Sequence, residues 1–267
     1  MDALILHLEA PLMSFGGPQV DQIGPTGRFP TLSQVAGLLA NALGHDHRDW
    51  AWTQALQDRL ALASLLLRAG RELPDYQTVD LGQEHLVRPG WTTRGRVEKR
   101  RGGEASEGTH IRFRRYRADA SVLAAVTLAA AADGPTLADL ARALDRPARP
   151  LFLGRKPCLP AGPVLVGVIE SLVEGAAGLE AALAQVPQRF PDRWAAMTRT
   201  EPDTAGRFPV ELPATDAGEA DPRLERVVDQ RDWQNGLHGG ERVVLRTRLA
   251  LGGPPHSGEV LTGEALP

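Results

Sequence analysis

The amino-acid sequence predicts an α+β fold with a βαββαβ core, the element order of ferredoxin-like and RRM-like domains. Strand-length apolar runs alternate with helix-period segments in that order, and a long basic insertion separates the second strand from the third. The 267 residues are 42% hydrophobic and 24% charged, which is ordinary for a globular chain that buries a core. We expect one RRM-like domain over residues 1–200 and an irregular C-terminal region over residues 201–267.

The first strand and the first helix have the clearest signals. Residues 3–9 form an apolar run, and a Gly- and Pro-rich loop follows over residues 11–30. Thr31, directly after that loop, is a typical helix N-cap, and Gly44 stands where the helix should end. The apolar residues between them recur at the spacing of one helix face: Val35, Leu38, Leu39, Ala42 and Leu43.

The other elements follow from shorter patterns. The second strand ends at Gly70, and Thr136 is the N-cap of a later core helix. Residues 201–222 are rich in Pro, Gly, Asp and Glu and are predicted to be a loop. Residues 241–251 alternate enough for one more strand, and residues 252–267 are predicted to be a flexible tail. The remaining predictions are a helix over 50–58, strands over 60–69, 120–131 and 163–169, and a helix over 136–144.

The insertion between the second and third predicted strands concentrates positive charge. Residues 86–118 hold ten positive and three negative charges, a local charge of +7, while the rest of the chain sums to −10. Each phosphate that such an arm neutralises releases condensed counterions, so the cluster favours a nucleic-acid partner. The basic residues are Arg88, Arg94, Arg96, Lys99, Arg100, Arg101, Arg112, Arg114, Arg115 and Arg117.

Aromatic residues are interleaved with these charges. Trp91, Phe113 and Tyr116 can stack on unpaired bases, which contributes about 1–3 kcal/mol per base. The alternative is a solvated charged loop without a ligand, and a GC-rich genome would also produce the excess of arginine over lysine. The interleaved rings favour nucleic-acid binding over that alternative.

The sequence offers few catalytic groups. His85 and His110 flank the insertion and are the best candidates for a metal-independent RNA-cleaving base, but nothing in the sequence orients either one. The pair His45 and His47 has no further ligands at metal-site spacing. The only cysteine, Cys158, excludes a multi-cysteine zinc site. We therefore expect no catalytic residue, no metal site and no cofactor.

The N-terminus and the hydropathy pattern indicate no membrane segment. The first strand meets an acid at Glu9 and lacks the basic region of a signal peptide. No apolar run approaches the ~18 residues that span a bilayer. We expect a cytoplasmic protein without a membrane partner, and a lone thiol suits that compartment.

Six short segments occur in the order that they have in a known family. They are residues 4–16, residues 24–31 with Gly37-Leu38-Leu39, residues 75–79, residues 114–116 with 119–121, residues 153–158, and Arg231-Asp232-Trp233. Together they resemble the CasD family, the RAMP-superfamily subunit of the type I-E CRISPR Cascade complex. The second segment is the most specific of the six.

The resemblance implies a fold and a function. It implies an RRM-like core with a protruding thumb, a long basic β-hairpin over about residues 77–118. It also implies that the chain holds the 5′ handle of the CRISPR RNA beside the backbone subunit CasC and the large subunit CasA. Target DNA is then a partner only indirectly, through the complex. The expected function is a non-catalytic guide-RNA-binding subunit in antiviral defence.

Two alternative functions stay open beside that one. The chain could be a metal-independent endoribonuclease that processes CRISPR RNA, or a scaffold that bridges proteins only. Under the RNA-binding hypothesis, arm arginines hold phosphates and Phe113 or Tyr116 stacks on a base. Arg28, just before a predicted helix N-terminus, is a second phosphate contact, and Arg155 with Lys156 is a third unless the pair has only a surface role. The arm arginines expected to bind RNA are Arg88, Arg94, Arg96, Arg100, Arg101, Arg112 and Arg114.

Overall fold

The computed structural model describes residues 1–19, 22–46, 48–80, 90–91, 97–98, 109–198, 206–214 and 223–251. Within these ranges there are fifteen strands and five helices. The strands are β1 (Ala3–Glu9), β2 (Leu12–Met13), β3 (Ile23–Gly24), β4 (Leu60–Arg68), β5 (Arg71–Asp80), β6 (Gly90–Trp91), β7 (Val97–Glu98), β8 (Thr109–Ala118), β9 (Ser121–Leu128), β10 (Leu165–Ile169), β11 (Arg207–Pro213), β12 (Leu224–Val227), β13 (Arg231–Asp232), β14 (Leu237–His238) and β15 (Arg242–Ala250). The helices are α1 (Leu32–Ala42), α2 (Trp50–Arg59), α3 (Leu137–Asp145), α4 (Ala176–Arg189) and α5 (Pro191–Met197).

Seven strands form one large sheet in the order β10-β1-β9-β4-β11-β15-β12, and every neighbouring pair is antiparallel. Helices α1, α2 and α3 pack on one face, and α4 and α5 pack on the other. This sheet and its helices confirm the predicted α+β class. None of the described helices is long and apolar enough to cross a membrane.

The central strands are apolar on both faces because both faces are covered. Successive side chains of a strand point to opposite sides of the sheet. In β1, Leu4 and Leu6 therefore join the cluster under α1 to α3, while Ile5 joins the cluster under α4 and α5. All three are fully buried, and each such side chain contributes about 1.5–3 kcal/mol through removal from water.

Helix boundaries follow from the capping residues that the sequence predicts. The Thr31 hydroxyl accepts a hydrogen bond from Gln34 N at 3.1 Å, which caps the start of α1. Gly44 follows the helix with φ +76°, a conformation that favours glycine. Thr136 and Asp139 form a reciprocal capping box at the start of α3. The predicted helices at residues 31–43 and 136–144 are thus confirmed.

Helices α4 and α5 have no counterpart among the predicted elements. Their signal is present in the sequence, because Leu179, Ala182, Leu183 and Val186 recur at helical spacing and all lie buried against the sheet. Trp194 of α5 completes this layer and is 7% exposed. The chain after β10 therefore adds a second helical layer to the core.

The prediction of an irregular C-terminal region is wrong for the residues that the structure describes there. β11 lies inside the predicted loop at residues 201–222 and joins the main sheet beside β4. Val210 and Leu212 alternate with Glu211, which is 3% exposed, so an acid inside this strand does not mark an exposed loop. The predicted strand at residues 241–251 is present as β15, and β12 extends the sheet beyond it.

The insertion leaves the main sheet through a sharp bend. Gly70, between β4 and β5, has φ +59°, and Asp119, between β8 and β9, has φ +56°. A Cβ atom on Gly70 would lie 2.2 Å from the Ala118 carbonyl oxygen, so the bend requires glycine. Beyond it, β5 and β8 pair antiparallel over their whole length. The arm therefore begins at Arg71, earlier than the predicted residue 77.

A buried carboxylate ties the C-terminal strands to the start of α1. Asp229 Oδ2 accepts hydrogen bonds from Leu32 N at 3.1 Å and from Arg242 Nε at 2.9 Å. The Asp229 carbonyl accepts a third from Ser33 N at 3.0 Å. Arg242 also donates to Glu211 Oε1 at 3.0 Å. The first N–H groups of α1 are thus satisfied by the chain's own C-terminal part.

Replacement of Asp229 by alanine should destabilise the protein strongly. Asp229 is 5% exposed. Its loss leaves one α1 N–H without a partner and removes one of the two carboxylates that pair with the Arg242 guanidinium, so that only Glu211 remains. We expect the free energy of unfolding to fall by about 3 kcal/mol, measured by urea denaturation of the purified chain. As a control, Glu225→Ala removes an exposed ion pair with Arg246 and should cost less than about 1 kcal/mol. Equal losses in the two variants would contradict the role given to Asp229.

The stability of the fold should decrease in mild acid because of His7. Burial lowers the pKa of His7 below 6.5; nearby Glu9 opposes this shift, and Arg193 and Arg68 add to it. The folded protein therefore resists protonation of His7. At pH values above the pKa that His7 has in the unfolded chain, His7 does not lower the stability of the fold, and its destabilising effect grows as the pH falls through that pKa. We expect the melting temperature of the native chain to drop more steeply below pH 6.5 than that of His7→Gln. Parallel curves for the two proteins would show that His7 is not the group responsible.

Candidate nucleic-acid interface

Strand β8 is the centre of a small four-stranded sheet at the base of the arm. β5 pairs along one of its edges, and β2 and β3 pair along the other. Residues that are paired across these strands lie on the same face, and neighbours along a strand lie on opposite faces. The two faces of the small sheet therefore have different chemistry.

One face, which we call the cationic face, presents His110, Arg112 and Arg114 of β8. Arg114 is exposed and makes no ion pair within the described ranges. The residue opposite Arg114 in register is Asp75, and the Asp75 carboxylate accepts a hydrogen bond from Gln77 Nε2 at 2.6 Å. The cationic face keeps a net positive charge, as contact with RNA phosphates requires.

The opposite face, which we call the aromatic face, carries Ile23, Phe113 and Tyr76 in one row across β3, β8 and β5. Their exposures are 46%, 40% and 57%, and the two rings lie 5.4 Å apart between centroids. Arg115 points to the same face, but Glu72 neutralises it at 2.6 Å. Arg117 lies on this face as well, in register with Glu72. The exposed rings are what distinguish this face from the other, and they suit stacking.

Tyr116 lies at the base of the cationic face and is not available to a ligand. Its ring is 4% exposed and belongs to the main core. The Arg155 guanidinium covers it, with the carbon of that group 4.9 Å from the ring centroid. The predicted stacking of a base on Tyr116 does not agree with this burial, because the ring already packs against core side chains and against the Arg155 guanidinium.

Arg155 braces the small sheet against the body of the protein. Its Nη1 donates to the Arg115 carbonyl at 2.8 Å and its Nη2 donates to the Gly24 carbonyl at 3.2 Å. Gly154, with φ +114°, lets the chain pass Ser14, whose carbonyl oxygen would lie 2.0 Å from a Cβ atom there. The predicted phosphate contact at Arg155 competes with these bonds, so its main role is to hold β3 and β8 in place.

A cleft of about 450 Å³ opens beside Arg155. We call it the α1 cleft, because the outer side of α1 forms its floor. The described residues that line it include no Asp or Glu, while Arg155 and Arg231 supply positive charge. The lining residues are Ser14, Gly16, Gly17, Gln19, Gly24, Pro25, Thr31, Ser33, Gln34, Gly37, Leu38, Asn41, Phe152, Gly154, Arg155, Arg231, Trp233 and His238.

The far wall of the α1 cleft is the short hairpin of β13 and β14. Trp233 Nε1 donates to Gln57 Oε1 at 3.0 Å, and Gln57 Nε2 donates to the Arg231 carbonyl at 3.0 Å. Trp233 N donates to Gln54 Oε1 at 3.2 Å. The Trp233 ring also packs on α1, where a Cβ atom at Gly37 would lie 3.3 Å from it. These contacts hold the segment Arg231-Asp232-Trp233 against both α1 and α2.

Arg28 is exposed at a smaller pocket of about 150 Å³ next to the α1 cleft. That pocket is lined by Arg246 but also by the acids Glu211 and Asp229. Because Asp229 already bonds the first N–H groups of α1, a phosphate at Arg28 would gain nothing from the helix N-terminus. The argument that the helix start strengthens an anion site at Arg28 is therefore wrong. Arg28 itself stays a candidate contact, as does the exposed Lys156.

Several predicted residues lie outside the described ranges. His47 and His85 are among them, whereas His110 is exposed on β8. His45 stacks on Trp52 with ring centroids 3.7 Å apart. The predicted RNA contacts that lie outside the described ranges are Arg88, Arg94, Arg96, Arg100 and Arg101.

His7, Ser121 and Glu9 lie close together but do not have the geometry of a serine triad. His7 Nε2 lies 2.8 Å from Ser121 Oγ and 3.8 Å from Glu9 Oε2, so one nitrogen faces both groups. A serine triad needs the carboxylate on the other ring nitrogen, and Ser121 is fully buried. Among the described residues, no three His, Cys, Asp or Glu side chains are close enough to bind a metal ion together.

Sequence reasoning missed the wall residues of the α1 cleft. Gln34 and Asn41 lie on the polar side of an amphipathic helix, a position that gives no functional signal. Arg231 and Trp233 fall in the last of the six family segments, but their role in a cleft depends on long-range packing. Tyr76 lies in another of those segments, and its pairing with Phe113 follows only from the β5–β8 register.

The chain is similar in sequence to proteins of CRISPR systems. A family model described as "CRISPR-associated protein (Cas_Cas5)" matches residues 3–245. The CRISPR system Cascade subunit CasD of Escherichia coli strain K12 is 32% identical over 168 residues, which are 63% of this chain and 71% of that protein.

Solved structures share the fold. A chain of a CRISPR RNA-guided surveillance complex superposes with a TM-score of 0.60 at 21% identity, covering 95% of both chains. A crystal structure of a Cas protein superposes with a TM-score of 0.54 at 22% identity, covering 95% of this chain and 100% of that one.

Replacement of Arg155 by alanine should loosen the base of the arm. The change removes two charge-assisted hydrogen bonds to the Arg115 and Gly24 carbonyls, each of which contributes about 1.5–3 kcal/mol. We expect amide hydrogen exchange in β3 and β8 to become at least about tenfold faster. Lys156→Ala, a change of the adjacent exposed cation, is the control and should leave those rates unchanged. Unaltered exchange in Arg155→Ala would refute the bracing role.

Proposed function

Because the chain belongs to the CRISPR-associated Cas5 family, we propose that it is a non-catalytic RNA-binding subunit of a type I-E Cascade surveillance complex. Its role there is to hold the 5′ handle of the CRISPR RNA. The named relative is a Cascade subunit, and one superposed structure is a CRISPR RNA-guided surveillance complex. The chemistry of the arm and of the α1 cleft supports RNA as the ligand.

The finer description of the fold is part of this proposal. The core is RRM-like, with β1, β4, β9 and β10 as its four strands, and the spatial order β10-β1-β9-β4 supports this assignment. The arm is the thumb of the CasD resemblance. Its paired stem, β5 with β8, supports a β-hairpin that projects from the body.

The observation that carries the function is the continuity of positive charge from the arm to the α1 cleft. Arg112 and Arg114 project from the same face of β8 as Tyr116. Arg155 lies on the Tyr116 ring and lines the cleft. An RNA strand on the cationic face therefore passes directly to a cleft whose described lining has no carboxylate.

The aromatic face gives a second contact for unpaired RNA. Phe113 and Tyr76 are both exposed and lie side by side, so together they offer a wider stacking surface than one ring. Single-stranded RNA is commonly recognised by such stacking on a sheet. Phe113 keeps its expected role, and Tyr76 replaces the buried Tyr116 as the companion ring.

Neighbouring proteins are the other partners in the proposal. The backbone subunit CasC and the large subunit CasA flank the chain, and target DNA is reached only through the assembled complex. Antiviral defence is the process that this assembly serves. No cofactor or metal takes part in holding the RNA, because positioned cations and rings supply the binding energy.

Removal of two charges from the cationic face should weaken RNA binding in a salt-dependent way. The variant Arg112→Gln/Arg114→Gln should bind a labelled single-stranded repeat RNA less tightly than the native chain. The slope of log K against log salt should fall by about 1.4, at about 0.7 for each lost phosphate contact. Filter binding of the purified chain at several salt concentrations measures both quantities.

Arg146→Gln is the matched control for this experiment. Arg146 is 92% exposed and belongs to the end of α3 rather than to the arm, so binding should not change. An unchanged slope in the double variant would favour the protein-only scaffold. Specific cleavage of the RNA without divalent metal, abolished by His110→Ala, would favour the endoribonuclease instead.

A further inference from the structure

We infer that the α1 cleft is a subsite for a single nucleotide of the bound RNA, and that Gln34 reads the edge of its base. The inference rests on the proposed RNA-binding function and names a site within it. Its ligand is one unstacked nucleotide of a single strand, turned away from its neighbours. Four features of the cleft lead to this conclusion.

The size of the cleft fits a ligand of that kind. Its volume of about 450 Å³ lies in the range of about 300–1,000 Å³ that is typical of small-molecule sites. Three glycines, Gly16, Gly17 and Gly37, keep part of its wall free of side chains. This volume is large enough for a base with its sugar and phosphate, and too small to enclose a duplex segment.

The charge of the cleft selects an anion. Arg155 and Arg231 line it without any described acid. The start of α1 cannot supply the positive potential, because Asp229 already occupies its N–H groups. Arginine side chains must therefore bind the phosphate. Both terminal nitrogens of Arg155 are bonded to carbonyls, whereas in Arg231 the Nη2 atom donates to the Gly236 carbonyl at 3.0 Å and the described residues show no such bond for Nη1, so Arg231 is the better placed of the two.

Gln34 has a polar side chain that the fold does not use. Its Oε1 is buried and has no hydrogen-bond partner among the described residues, while its main-chain N–H is needed for the Thr31 cap. A buried acceptor without a partner costs free energy, so its presence in a cleft wall requires an explanation. An amide offers a donor and an acceptor side by side, as the edge of a base requires, and its terminal torsion rotates easily.

Arg231 also has an unused donor and a fixed position. Its Nε is buried without a partner among the described residues. The guanidinium lies 5.3 Å over the Trp233 ring, which fixes its plane on one side and leaves the other side for a base or a phosphate. Because Gln54 and Gln57 anchor this hairpin to α2, the site is formed before RNA arrives.

A series of RNAs, each with one abasic nucleotide, tests the inference. The native chain should show one position where loss of the base weakens binding about tenfold or more, since a contacted base contributes about 1–3 kcal/mol. In Gln34→Leu, which removes no hydrogen bond within the described part of the fold, the intact RNA should bind as weakly as that abasic RNA. The abasic change should then cost nothing further at that position, and its effects elsewhere should be unaltered.

The control is Gln188→Leu, a glutamine exposed on α4 on the other side of the sheet, which should keep the abasic penalty. Arg231→Gln provides a second test. It should weaken the binding of the intact RNA and of every abasic RNA in the series, because a phosphate contact is lost. If the chain binds RNA but no abasic position is coupled to Gln34, the cleft assignment is wrong while the proposed function stands. If the native chain does not bind the RNA, both are wrong.

Discussion

The carboxylate of Asp229 is the constraint on which the arrangement of this protein depends. It joins the N-terminus of α1 to Arg242 of β15, residues that are far apart in sequence. The link fixes α1 against the C-terminal strands, and the α1 cleft lies between them. It also occupies the N–H groups that would otherwise attract an anion. Positive charge in the α1 cleft therefore comes from arginine side chains, Arg155 and Arg231, among its described lining residues.

Alternation along β8 gives the arm two different faces with one strand. Arg112 and Arg114 lie on one face, and Phe113 between them lies on the other, beside Tyr76. The pleat of the sheet thus places the two exposed rings on the face opposite these two arginines. Arg155 joins the positive face to the body, since it covers Tyr116 and bonds the carbonyls of β3 and β8. Arg155 also lines the α1 cleft, so one side chain contacts both the base of the arm and the cleft.

Net charge is a poor guide to the partner of this chain. The whole protein carries −3, yet the cationic face and the cleft are locally positive. Acids such as Glu211 and Asp229 are buried in ion pairs with Arg242 and Arg246, so they stabilise the sheet and do not repel a polyanion. Burial raises the pKa of Glu211 even beside these arginines, which reflects the cost of a carboxylate inside a sheet. The local charge of these surfaces follows from the positions of the charged side chains and not from their sum.

The sequence alone determined the predicted core elements, the caps at Thr31 and Thr136, the end of the second core strand at Gly70 and the resemblance to the CasD family, which the comparisons confirm. Each of these depends on neighbouring residues or on the order of short segments. Only the tertiary structure decided that Tyr116 is buried, that Tyr76 lies beside Phe113, and that Gln34 and Arg231 line one cleft. Only the tertiary structure also showed that part of the Pro-rich, acidic stretch at residues 201–222 forms β11. Those features depend on strand register and on contacts between distant segments, and neither can be predicted from the local periodicity of the sequence.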